Sequence, residues 1–147
     1  MKAQKFNGVN LIFAEDQKEY ADLPALVQDK NIATFCFRLT AAEIKEIGQY
    51  RKIWITILTF GAPAHPKKLS IVKPEFPVNV LGFQSDVDEW GLQGLDDDPI
   101  TSASTSYPMT EEDLKQLLKT RCFWLSVATF GAALQPIMST ISKPPKV

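Results

Sequence analysis

The side chains able to do chemistry are few. His65 is the only histidine, and Cys36 and Cys122 are the only cysteines. His65 stands between Ala64 and Pro66 with no Ser or Cys nucleophile beside it, so a loop histidine is the reading preferred over a general base. Each cysteine falls inside an apolar, strand-like run with no Cys or His at metal-ligand spacing, which suits a reduced, buried thiol acting as a small hydrophobe. No metal and no cofactor are expected. The run Asp96-Asp97-Asp98 lacks the alternating oxygen ligands and turn glycine of a calcium loop and reads as solvated. Asp16 with Glu19 and Asp86 with Glu89 recur at matching places, yet a polar turn with an acidic cap accounts for both pairs. There is no glycine-rich phosphate loop, no Gly-x-Ser-x-Gly elbow and no His-Glu-x-x-His helix. An enzyme is therefore not expected.

Aromatic side chains offer the other candidate site. Trp54 and Trp124 could stack on a nucleotide ring, although their place on apolar strand faces favours packing, to which aromatic burial contributes strongly. With Tyr20, Phe60, Trp90 and Phe130 they form the candidate lining of a groove for a ligand or partner.

The elements that would position these groups come in two copies. Shifted by about seventy positions, Lys52 through Gly61 superpose on Cys122 through Gly131 without a gap, Trp54 on Trp124 and the Thr-Phe-Gly endings on each other. Phe6 meets Phe76, Phe13 meets Phe83, Tyr20 meets Trp90, Pro66 meets Pro136, and Lys73-Pro74 meets Lys143-Pro144. Such self-similarity is the mark of an internal repeat.

Within each copy the periodicity is readable. Ala33, Phe35, Phe37 and Leu39 alternate with Thr34, Cys36 and Arg38, as in a strand with one buried face. The matching Ser102–Tyr107 is polar, which predicts an edge or partly frayed strand. Thr40 with Glu43 and Thr110 with Asp113 read as capping boxes opening helices, whose apolar stripes are Ile44 with Ile47 and Leu114 with Leu117. The following strands are apolar on both faces: Ile53, Ile55 and Ile57 (Phe123, Leu125, Val127) suit a helix-covered core face. The Trp54 and Trp124 faces should then shelter each other. Gly61 and Gly131 suit the strand ends.

The resulting expectation is an α+β protein of two tandem β-β-α-β repeats, residues 1–74 and 75–147, packed with pseudo-two-fold symmetry into one compact domain. Its helices would lie on the outer faces of mainly antiparallel sheet. The connector Ile71–Pro77 holds two prolines and no Gly or Ser run, which favours one composite body over two tethered ones.

A net charge of -1, from 16 basic and 17 acidic residues, provides no global field for nucleic acid or an anionic bilayer. Lys67-Lys68 and the lysines from 143 to 146 make modest basic ends, too few for a phosphate-tracking groove. No window approaches the roughly eighteen apolar residues of a membrane span, and the first residues lack an apolar leader, so a cytoplasmic location is expected.

The run Asn10-Leu-Ile-Phe-Ala-Glu-Asp-Gln-Lys-Glu-Tyr-Ala-Asp-Leu-Pro-Ala25, the strand holding Cys36, and Trp54 with Leu58-Thr-Phe-Gly61 and Pro66 resemble a family of short, single-unit proteins of bacterial phages and mobile elements. The match covers most of the first copy and, more loosely, the second, where the Leu-Pro-Ala element and the Cys strand have drifted. The resemblance implies an accessory role in a phage or mobile element and carries no catalytic residues. The expected function is thus a non-enzymatic binding protein with a protein partner; the alternative is a protein holding a nucleotide-like ligand in the groove between repeats. Because duplication would supply the contact that single units obtain by dimerising, a monomer is expected.

Overall fold

The computed structural model describes residues 1–13, 22–58, 65–78, 83, 92–93 and 102–141. In chain order the elements are Lys2–Gln4 (β1), Leu11–Phe13 (β2), Leu23–Gln28 (β3), Ile32–Arg38 (β4), the helix Ala41–Tyr50 (α1), Lys52–Leu58 (β5) and Lys67–Ser70 (β6). After them come Leu92–Gln93 (β7), Ser102–Pro108 (β8), the helix Glu111–Thr120 (α2), Cys122–Ala128 (β9) and Ile137–Thr140 (β10). The fold is α+β, and every strand pairing described is antiparallel.

Two sheets form. In the larger the order is β2-β3-β4-β9-β6, with β1 also paired to β4; in the smaller it is β10-β5-β8-β7. Each sheet contains strands from both sides of residue 74. β4 pairs with β9 from Ile32↔Ala128 to Arg38↔Cys122, and β5 pairs with β8 from Lys52↔Pro108 to Leu58↔Ser102. The flanking strands follow the same rule, β6 on β9 through Lys67↔Val127 and β10 on β5 through Ile137↔Ile57.

Side-chain alternation decides which faces meet. Phe35, Phe37, Phe123, Leu125 and Val127 of the larger sheet join Ile53, Ile55, Ile57 and Tyr107 of the smaller in one buried cluster, so these faces turn towards each other. Phe37 and Phe123, cross-strand partners, stack at 5.1 Å between centroids. Fully burying residues of this kind contributes about 1.5–3 kcal/mol each, which makes the inter-sheet layer the main source of stability.

The helices bridge the sheets. α1 leads from β4 in the larger sheet to β5 in the smaller, α2 returns from β8 to β9, and their Ile44, Ile47 and Leu117 complete the core. Both capping boxes are made. Glu43 N–H donates to Thr40 Oγ1 at 3.1 Å and Asp113 N–H to Thr110 Oγ1 at 3.2 Å; the carboxylates accept from the Thr40 and Thr110 amides at 2.9 and 2.8 Å. Arg51 and Arg121, at φ 61° and 57°, end the helices in the left-handed region and return their N–H groups to Ile47 and Leu117 oxygens. Their own carbonyls accept from Met109 N–H at 2.8 Å and Leu39 N–H at 2.7 Å, so each helix end is tied to the start of the other helix.

Three expectations are corrected here. The helices do not lie on outer sheet faces: joined to β4, β5, β8 and β9 by one or two residues, they have no chain to travel round a sheet and stand across the end where those strands start or finish. The Trp54 and Trp124 faces do not shelter each other, because β5 and β9 lie in different sheets and the isoleucine face of one meets the Phe-Leu-Val face of the other. Finally, β8 is neither an edge nor frayed. It lies between β5 and β7, with Ser104 and Thr105 buried, because a full ladder to β5 satisfies its backbone whatever its side chains are. The apolar run from Asn79 to Phe83, whose composition suits a buried strand, lies outside the described residues apart from Phe83.

Candidate functional site

α1 and α2 come into contact and leave a cleft of about 400 Å³ between them. Its apolar lining comes from Ala41, Ile44, Leu114 and Leu118. Gly48 opens it further: a Cβ there would meet nothing within 4 Å among the described residues. The rim carries Lys45, Lys115 and Arg121 against Glu111, and Glu111 is already engaged by Arg51. Leu118 is 64% exposed and Tyr50, at the end of α1, is 54% exposed. The two capping boxes and left-handed helix ends fix both walls. An apolar floor with a cationic rim can receive an apolar side chain flanked by carboxylates.

A second cavity, of about 560 Å³, opens at the edge between the sheets. Leu23, Phe37 and Ile137 line it, and Lys2, Lys5 and Asp22 stand at its mouth.

Of the aromatic residues expected to line one groove, Trp54, Trp124 and Phe130 lie among the described residues. Trp54 on β5 and Trp124 on β9 are buried on separate sheets. Lys52 Nζ lies 5.7 Å from the Trp54 ring centroid, and Lys73 Nζ lies 5.8 Å from that of Trp124. Phe6 packs edge-on against Trp124 at 4.9 Å. Phe130 is exposed and has φ 51°; its loop is held by Thr129 and Phe130 N–H groups donating to the Asn31 carbonyl, at 2.7 and 3.2 Å. Gly131 follows at φ 83°, as its place at a strand end required. Tyr20, Phe60 and Trp90 lie outside the described residues, as do Asp16, Glu19, Asp86, Glu89, Asp96–Asp98, Gly61 and the lysines from 143 to 146.

Cys36 and Cys122 are both free and buried. They sit with Trp124 and Phe6 in a small cluster apart from the main core. Gln4 Nε2 lies 3.3 Å from each sulfur. Burial pushes the Cys36 thiol up to about 11, the nearby Cys122 adding to the rise while the Gln4 hydrogen bond and the Lys73 charge oppose it. His65 donates its backbone N–H to Gln135 Oε1 at 2.9 Å and sets Nε2 3.0 Å from the Ala133 oxygen, which makes it a tie between the two halves of the chain. Lys67, read as part of a modest basic end, is buried at 1% exposure, because the alternation of β6 turns it inward opposite Val127.

Among the described residues no group of three or more His, Cys, Asp or Glu could hold a metal ion, and no helix is long and apolar enough to cross a membrane. Set against models of protein families, curated proteins and solved structures, the chain matches none of them. Class and site therefore rest on the geometry alone: among the described residues, an α+β protein of two antiparallel sheets with an apolar recess between its two helices.

Proposed function

We propose that the chain is a tandem duplication whose halves, residues 1–74 and 75–147, interlock about a pseudo-two-fold axis, and that it acts as a non-enzymatic interaction protein offering the α1–α2 cleft to a protein partner. The duplication is supported by paired registers. Shifting both partners of Ile32↔Ala128 by about seventy positions, in opposite directions, gives Ser102↔Leu58, and Lys67↔Val127 similarly answers Ile137↔Ile57. The buried hydroxyl pair Thr34–Ser126, at 2.9 Å, is answered by Thr56–Ser104 at 2.8 Å.

The observation that carries the function is the cleft with Leu118 on its wall, an apolar recess rimmed by three cations and one carboxylate that is already paired. The partner it suits is an amphipathic helix or loop with an apolar anchor and acidic flanks, the mode in which a groove reads anchors three and four residues apart. The resemblance to short phage and mobile-element proteins makes an accessory role against a host or viral protein part of this reading.

Wild-type protein and a Leu118→Glu variant, used as baits in bacterial lysate, test it. A protein retained by the first and lost by the second, at unchanged helix content, is the expected result. Equal recovery by both baits, or no recovery alongside turnover of a metabolite, overturns it.

The cavity between the sheets favours a second reading, a small anionic ligand of nucleotide-like character. Its volume is in the range of ligand sites, and Lys2 and Lys5 stand where a phosphate would enter. A melting-temperature rise with one member of a nucleotide panel, abolished by Lys2→Ala with Lys5→Ala, supports it; a flat response sinks it.

A further inference from the structure

The cluster around Gln4, Cys36 and Cys122 is used by neither reading above. Cys36 stands on β4 directly opposite Trp124, while Cys122 stands opposite Arg38, so the two cysteines are diagonal neighbours across the ladder. Diagonal neighbours in an antiparallel pair are about 7–8 Å apart at the backbone. A disulfide asks for Cα atoms no more than about 6.8 Å apart, and so does not suit this diagonal. Two sulfurs held by one ion with bonds of about 2.3 Å span about 4.6 Å, a separation that diagonal side chains leaning towards each other can reach. Gln4 Nε2, at 3.3 Å from both sulfurs, already marks a point that the two share.

We propose that Cys36 and Cys122 form a two-coordinate thiolate site for a soft monovalent cation of the copper(I) class. Soft thiolates select such ions. Binding releases both thiol protons: one copper(I) and two thiols give an anionic bis-thiolate complex and two protons, with no change of oxidation state. The residual negative charge has its counterparts in place. The Gln4 amide donates towards both sulfurs, and Lys73 lies over the Trp124 ring beside the cluster. Phe6 and Trp124 keep water and oxidants from the ion. Entry would proceed by displacement of the N-terminal segment carrying Gln4 and Phe6, since that segment packs over the cluster.

The test is an anaerobic titration of the reduced, full-length protein with copper(I), in competition with a chromogenic copper(I) chelator. Expected are an endpoint at one equivalent, quenching of Trp124 fluorescence to the same endpoint, and loss of that endpoint in both Cys36→Ala and Cys122→Ala. A rise in the melting temperature of the wild-type protein with one equivalent of copper(I) gives a readout that needs no variant. No endpoint and no melting shift in the wild type would overturn the proposal, as would an endpoint that survives in the double alanine variant. Rapid closure by diamide to an intramolecular disulfide, seen as a mass loss of two hydrogens, would also overturn it by putting the sulfurs at bonding geometry.

Discussion

Two buried threonines, one in each sheet, should answer the same substitution with opposite signs. Thr105, on β8, is 2% exposed, and its hydroxyl finds no hydrogen-bond partner among the described residues. A hydroxyl buried in that way costs about 1–3 kcal/mol by mutational measures. Valine keeps the branched shape that a strand favours and removes the unpaired group, so Thr105→Val should stabilise the protein by about 1–2 kcal/mol. For a chain of this length that is a melting-temperature rise of about 3–6 °C. Thr34, on β4, is fully buried as well, but its Oγ1 shares a hydrogen bond with Ser126 Oγ at 2.9 Å. Thr34→Val leaves the Ser126 hydroxyl buried and unpaired, so a loss of about 1–3 kcal/mol is expected. Urea titrations followed by tryptophan fluorescence would read both shifts as changes of midpoint at constant slope. A Thr105→Val protein no more stable than wild type would mean that the hydroxyl is satisfied, and the placement of β8 side chains against the core would be wrong.

Three further outcomes follow. Thr40→Ala and Thr110→Ala should each cost about 1 kcal/mol in urea melts, since both remove the same cap; a cost at only one site would show that one helix start is held by other contacts. Cys36, with its thiol pushed up to about 11 by burial, should react with a disulfide reagent at pH 8 only after urea unfolding, and prompt labelling of the native protein would contradict its burial. Burial raises the Glu43 carboxyl, but hydrogen bonds from the Met1 ammonium and the Thr40 amide outweigh it and leave the group below its ordinary value of 4.5. A lowered carboxyl stabilises the fold above its unfolded value, and that contribution disappears as pH falls through the lower, folded value. Glu43→Gln should therefore flatten the acid limb of a stability-against-pH curve below about pH 4.5, and an unchanged limb would remove Glu43 as its source.

What was legible in the sequence is what is local. The helix starts were readable because Thr40 with Glu43 and Thr110 with Asp113 satisfy their orphan amides within a single turn. The alternation of Ala33, Phe35 and Phe37 named its own buried face. Partner choice was not legible, because β4 on β9 and β5 on β8 are contacts between residues far apart in the chain, and a strand apolar on both sides does not say which side is inner. Trp54 and Trp124 were placed on the wrong side of that choice. The cover over Trp124 was missed as well, since three residues of β1 and the single Phe6 carry no periodicity. The cleft left a faint sign: Leu117 and Leu118 are adjacent, and two neighbours on a helix point about 100° apart, so one of them had to turn away from the core.

Pairing first-half strands with second-half strands has a price in time. A ribosome delivers β4 well before β9, whose Ser126 must reach back to Thr34 across 92 positions. Until then the first half offers an open strand edge with nothing of its own to close it, the condition under which chains pair with strangers. Assembly must wait for β9, and its rate will be set by loop closure more than by helix formation. A nascent copy stalled before residue 122 would be a ready partner for a second stalled copy.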